Sequence, residues 1–73
     1  MTYTVIYEKG STSWGAYVPD LPGVITVGDT REEVERLIRE AIEFHLEGMR
    51  EEGIEIPAPA SFAGVVDVHP AVC

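Results

Sequence analysis

His45, His69, Cys73 and thirteen carboxylates are the side chains of this 73-residue sequence whose chemistry could extend beyond packing. Their spacing assembles no reaction centre. The histidines stand 24 residues apart, and neither accompanies a nucleophile in a recognisable elbow, so triad-type acyl transfer has no basis. His45 falls on the apolar stripe of a helical segment and reads as a core or interface histidine. His69 and Cys73 are spaced to share a metal ion, but a zinc site needs a third protein ligand and none is at hand. A two-metal nuclease would draw carboxylates from the first strand, a helix and the last strand. Glu43 or Glu47 and Asp67 would serve for two of these, but the first strand offers only Glu8, at its very end. Glycine-rich phosphate loops of the G-x-G-x-x-G or G-x-x-x-x-G-K type are absent from the sequence. The expectation is a protein that is not an enzyme and that holds no metal or cofactor.

The carboxylates have another use. Glu43, Glu47 and Glu51 recur every four residues, which stacks like charges on one helix face at a few tenths of a kcal/mol per pair. Glu51 and Glu52 also oppose the helix dipole, whose C-terminal end favours cations. A helix shaped only for its own stability would carry Lys or Arg there. Positive charge from a partner would relieve the repulsion through charge-assisted hydrogen bonds. The whole chain agrees in sign. Five basic residues against thirteen acidic ones give a net charge of −8. Lys9, Arg31, Arg36, Arg39 and Arg50 are scattered among more numerous acids, which argues against direct nucleic-acid binding and against anionic membranes. A basic protein is the partner this charge favours.

The elements that position these groups follow from pattern. Residues 2–8 alternate Tyr3, Val5 and Tyr7 against Thr2, Thr4 and Ile6, a strand signal. A turn around Gly10 leads to a second strand over 14–18, and the pair predicts a hairpin. Pro19 to Gly23 makes a corner before a short strand over 24–27. Thr30 and Glu33 form a T-x-x-E capping box, and an apolar stripe of helical period runs from there to Gly53. Gly64 to His69 predicts a fourth strand, ended by Pro70.

The expected architecture is a single α+β domain over 1–73, ordered β-β-β-α-β, with the last strand returning beside the first. One helix covers one face of such a sheet. The other face should then expose part of the set Trp14, Ala16 and Val18 or of the set Tyr3, Val5 and Tyr7. Small size points the same way, since a chain of this length buries only about 60% of its unfolded surface. The only cysteine is Cys73, so no intrachain disulfide can compensate. Homo-oligomerisation is expected. No apolar run reaches the length of a membrane span and no signal segment opens the chain, which predicts a cytoplasmic protein.

The run Tyr17-Val18-Pro19-Asp20-Leu21-Pro22-Gly23, followed by Val27-Gly28-Asp29-Thr30-Arg31-Glu32-Glu33, resembles the signature of the HicB antitoxin family. In that family an aromatic strand leads into P-D-L-P-G, and G-D-T-x-E-E begins the helix. The resemblance spans about residues 1–60, through Tyr3, Glu8-Lys9 and Ile56-Pro57. It implies a partial, non-catalytic ribonuclease-H-like fold that binds and blocks a small basic HicA toxin, a messenger-RNA nuclease. Trp14, Tyr17, Asp20, Glu43 and Glu47 are the candidate partner-binding residues. Many family members continue into a helix-turn-helix or ribbon-helix-helix segment that binds DNA. The 14 residues after Pro59 leave room for a strand instead. The competing expectation is a homo-oligomeric structural or regulatory module with no toxin of its own.

Overall fold

Three short strands and one long helix make up the secondary structure: β1 (Ile6–Lys9), β2 (Trp14–Tyr17), β3 (Ile25–Gly28) and α1 (Arg31–Glu51). The computed structural model describes residues 1–70. Cys73, and with it the suggested His69–Cys73 metal pair, lies outside the described residues. The strands form an antiparallel sheet in the order β1-β2-β3, so β1 and β3 are both edges.

Register decides which side chains meet the helix. Tyr7 stands opposite Ala16, and Ala16 opposite Thr26. Because strand side chains alternate, Trp14, Ala16 and Val18 share one face with Tyr7, Val5 and Tyr3. That face is the one α1 covers. Ala16, Val18, Leu21, Val24, Val34 and Ile38 are its buried core, and Tyr3, Val5, Tyr7 and Trp14 pack at the margin. The expectation that part of one of these sets would be left on the uncovered face is therefore corrected. The face turned away from the helix carries a row of Ile6, Tyr17 and Ile25 in register, with Val27 beside Gly15. Ile25 and Val27 are about two-thirds exposed, at 67% and 65%.

The corner between β2 and β3 is stitched by its own backbone. The Val18 N–H donates to the Val24 carbonyl at 3.2 Å, Leu21 N–H to Val18 at 3.1 Å and Val24 N–H to Leu21 at 3.1 Å. Pro19 and Pro22 need no such bonds, and Gly23 closes the turn at φ +91°, a conformation open to glycine at little cost. Leu21 is thereby driven into the core.

The helix begins and ends by the rules of capping. The Glu33 N–H donates to Thr30 Oγ1 at 3.1 Å, the first half of the expected box. The reciprocal bond from Glu33 is not formed among the described residues. A Cβ on Gly28 would meet Val34 Cγ2 at 3.0 Å, so the helix start approaches β3 as closely as it does because that position has no side chain. At the other end the Ile54 N–H donates to Met49 and the Gly53 N–H to Arg50, with Gly53 at φ +71°. These bonds form a Schellman closure, which satisfies carbonyls the last turn leaves over.

The fourth strand expected over 64–69 is not formed. Residues 54–70 run without regular structure. The Tyr3 hydroxyl donates to the Pro57 carbonyl and Thr4 Oγ1 donates to the Ser61 carbonyl at 2.6 Å, so 57–61 is held against the segment leading into β1. Beyond Ser61 every residue to Pro70 is exposed. Strand-forming side chains alone do not make a strand. A ladder partner must supply the bonds, and among the described residues no strand is paired with this segment.

Candidate functional site

The exposed side of α1 combines acid with an unburied aromatic ring. Phe44 is 81% exposed. Helical spacing sets Glu40, Glu47, Gly48 and Glu51 around it, at separations of three, four and seven residues. Phe44, Glu47, Gly48 and Glu51 line a shallow notch of about 190 Å³, where the missing Gly48 side chain leaves the ring open on one flank. Sequence patterning follows the apolar stripe and passes over Phe44. The signal that could have found it is a large aromatic standing off that stripe, among glutamates.

Electrostatics divide this helix in two. Its ion pairs are Arg31–Glu35 at 3.1 Å and Arg36–Glu40 at 3.2 Å, both in the N-terminal half. Glu35 and Arg39, and Arg39 and Glu43, stand at the same four-residue spacing but form no ion pair among the described residues. Glu43, Glu47 and Glu51 have no ion-pair partner there either, so their charge is left to solvent or to a ligand.

Glu43 also borders a second recess on the other flank of the helix. This groove, about 610 Å³, lies between α1 and the β1 side of the sheet. Tyr3, Val5, Tyr7, Ile38, Ile42 and Leu46 line it, and exposed Glu35, Arg39 and Glu43 form its rim.

The remaining candidates are scattered. Trp14 lies on the helix side of the sheet and Tyr17 on the opposite side, so they do not form one patch. Cations already cover the Trp14 ring: Lys9 Nζ is 5.9 Å and the Arg31 guanidinium 6.0 Å from its centroid, with Arg31 also 5.0 Å from Tyr7. Asp20 faces the tail. Its carboxylate accepts from the N–H groups of Ala60 and Ser61, both at 2.9 Å, and from the Ser61 hydroxyl at 2.8 Å. The Ala60 backbone bond, then that of Ser61, then the hydroxyl hold the Asp20 carboxyl below its ordinary pKa.

The residues weighed for metal chemistry are not gathered. Glu8 pairs with Gly15 and so turns to the face away from the helix that carries Glu43 and Glu47. Among the described residues no three His, Cys, Asp or Glu side chains are grouped to hold a metal ion. No helix among them is long and apolar enough to cross a membrane.

Comparison with known proteins supplies a family. The family described as HicB_like antitoxin of bacterial toxin-antitoxin system matches residues 3–70. A protein of Haemophilus phage HP1, described as an uncharacterized 14.9 kDa protein in the rep-hol intergenic region, is 42% identical over 57 residues, covering 78% of this chain and 43% of its own. Antitoxin HicB 2 of Photorhabdus laumondii is 36% identical over 61 residues, 84% of this chain and 44% of its own. A UPF0150 protein of Thermotoga maritima is 41% identical over 46 residues, 63% of this chain and 61% of its own. The matched regions thus span less than half the length of the phage and Photorhabdus relatives. No solved structure matches the chain. The chain belongs to the HicB-like antitoxin family of bacterial toxin–antitoxin systems.

Proposed function

We propose that this HicB-like antitoxin neutralises a small basic nuclease of the HicA type by laying the acidic C-terminal half of α1 over the toxin's RNA-reading surface. The protein itself is non-catalytic in this reading and needs no cofactor. Its three strands and helix serve as a partial ribonuclease-H-like scaffold. The observation that carries the proposal is Phe44, which stands 81% exposed beside Glu47 and Glu51, neither of which has a cationic partner among the described residues. Such a ring supplies the apolar anchor of a protein contact, and the surrounding acids supply complementary charge and a fast encounter. Glu43 and Glu47 act here as partner-binding residues. Trp14 is already stacked under cations and Asp20 is engaged by the tail, so neither contributes in this form. Tyr17 lies on the far side of the sheet.

The test is titration of a cognate HicA-type toxin with wild type, Phe44→Ala and Glu43→Lys/Glu47→Lys. Circular dichroism should first show an unchanged fold. Each variant should bind at least about tenfold more weakly, as expected for loss of more than 1.4 kcal/mol at a central anchor. Unchanged affinity in both would move the interface off this face.

A second reading, a self-associating module without a toxin, draws on the Ile6–Tyr17–Ile25 row of the sheet, in which Ile6 is half-buried and Tyr17 and Ile25 are exposed. The two are compatible. An antitoxin of this size gains stability by pairing with its own copies.

A further inference from the structure

The tail beyond Ser61 is built like a strand, and among the described residues it pairs with no strand of its own chain. Phe62, Val65, Val66 and Val68 are 71% to 98% exposed. Alternation puts Phe62, Gly64, Val66 and Val68 on one side, wholly apolar, and Val65, Asp67 and His69 on the other. This is the pattern of a strand with one face meant for burial.

A matching vacancy lies elsewhere in the fold. β1 pairs only with β2, so its outer edge presents unpaired backbone groups. Beside that edge opens the 610 Å³ groove, with Tyr3, Val5 and Tyr7 on one wall and Ile38, Ile42 and Leu46 on the other. A strand added to β1 would turn alternate side chains into it.

The chain's own tail does not fill it: none of residues 62–70 lines the groove, and all are exposed. Thr4 donates its hydroxyl to the Ser61 carbonyl, which fixes where the tail leaves the sheet. Asp20 fixes the same residue through its N–H and hydroxyl. From that anchor the tail leads outward. The molecule extends 57 Å along its long axis, with a radius of gyration of 15.3 Å, against about 11 Å for a compact chain of this length. Residues 62–70 can reach roughly 30 Å when extended.

We propose that the arm formed by residues 62–69 adds as a strand to the β1 edge of a second copy of this chain, burying Phe62, Val66 and Val68 in that copy's groove. Arm and groove occur once in each chain, so reciprocal exchange closes a two-fold dimer without leaving either vacant. Within residues 62–69 the only carboxylate is Asp67, on the side turned away from the groove. An apolar and backbone-bonded contact of this kind lets two chains of charge −8 associate without opposing their acidic helix faces. The exchange stands independently of any toxin.

The test uses the full chain under reducing conditions, so that Cys73 forms no bond. Light scattering should give twice the 8.0 kDa chain mass for wild type and a single chain mass for Val66→Asp/Val68→Asp with an unchanged circular dichroism spectrum. In a mixed sample of isotope-labelled and unlabelled wild type, filtered nuclear Overhauser spectra should connect the Val66 and Val68 methyls to the Tyr3 and Tyr7 rings between chains. A monomeric wild type, an unaltered dimer in the variant, or contacts confined to one chain would each overturn the exchange. So would a monomeric wild type whose arm variant loses the toxin, since the groove would then belong to that partner. Because the mass and spectra are read without toxin, failure here leaves the antitoxin reading untouched, and failure of that reading leaves these measurements valid.

Discussion

Thr26 shows how a single residue can be out of step with its surroundings. It stands opposite Ala16 on the helix side of the sheet, and its Oγ1 is buried without a hydrogen-bond partner. A buried hydroxyl left unsatisfied costs about 1–3 kcal/mol, and valine has nearly the same shape without that cost. Thr26→Val should therefore raise stability by about 1 kcal/mol in chemical denaturation, read as a higher midpoint at constant slope. A lower midpoint would mean that the hydroxyl is bonded in solution. Phe44 is the opposite case, an apolar side chain placed where only water or a partner can meet it. One such residue is unremarkable on a surface, but this one stands beside Glu47 and Glu51, which have no ion-pair partner among the described residues.

At the scale of elements, a carboxylate ties the Pro19–Gly23 corner to the tail. Folding lowers the Asp20 pKa, so the ionised carboxylate is the form the bonds to Ala60 and Ser61 favour. The stabilisation is fully present above the ordinary aspartate value of about 3.9 and fades as pH falls through the lowered folded value. Protection of the Ala60 and Ser61 amides, taken relative to intrinsic exchange at each pH, should be high at neutral pH and fall below about pH 4. In Asp20→Ala it should be low throughout. Protection that persists in Asp20→Ala would mean that other contacts hold the tail. This latch could not be read from the sequence, because it joins residues forty apart and its motif suggests only a stiff corner. Thr30 and Gly53 were legible, since capping is local chemistry written in a few adjacent residues. The three strands were legible in place and order, but the exposed face was not. That depends on register, which sets Tyr7 opposite Ala16 and so turns both aromatic-rich sets toward the helix. Gly64 to His69 has strand composition, but pairing is a property of the neighbour as much as of the segment.

Over the whole molecule, charge is sorted along the helix. Lys9 and Arg31 cap the aromatic end of the sheet near the helix start, and the uncompensated glutamates occupy the far half. The net charge of −8 predicts the sign of a partner, but only the fold shows where that charge is left unpaired. The arm proposed for self-association and the acidic face proposed for the toxin meet only at Glu43, on the groove rim, so most of each surface stays open to its own partner. The most direct measurement of the central claim is RNA cleavage by a HicA-type toxin, assayed with increasing amounts of this protein. Masking predicts that cleavage falls to background near one chain per toxin and returns as salt weakens the acidic contact. Undiminished cleavage in the presence of a large excess of the folded protein would contradict it.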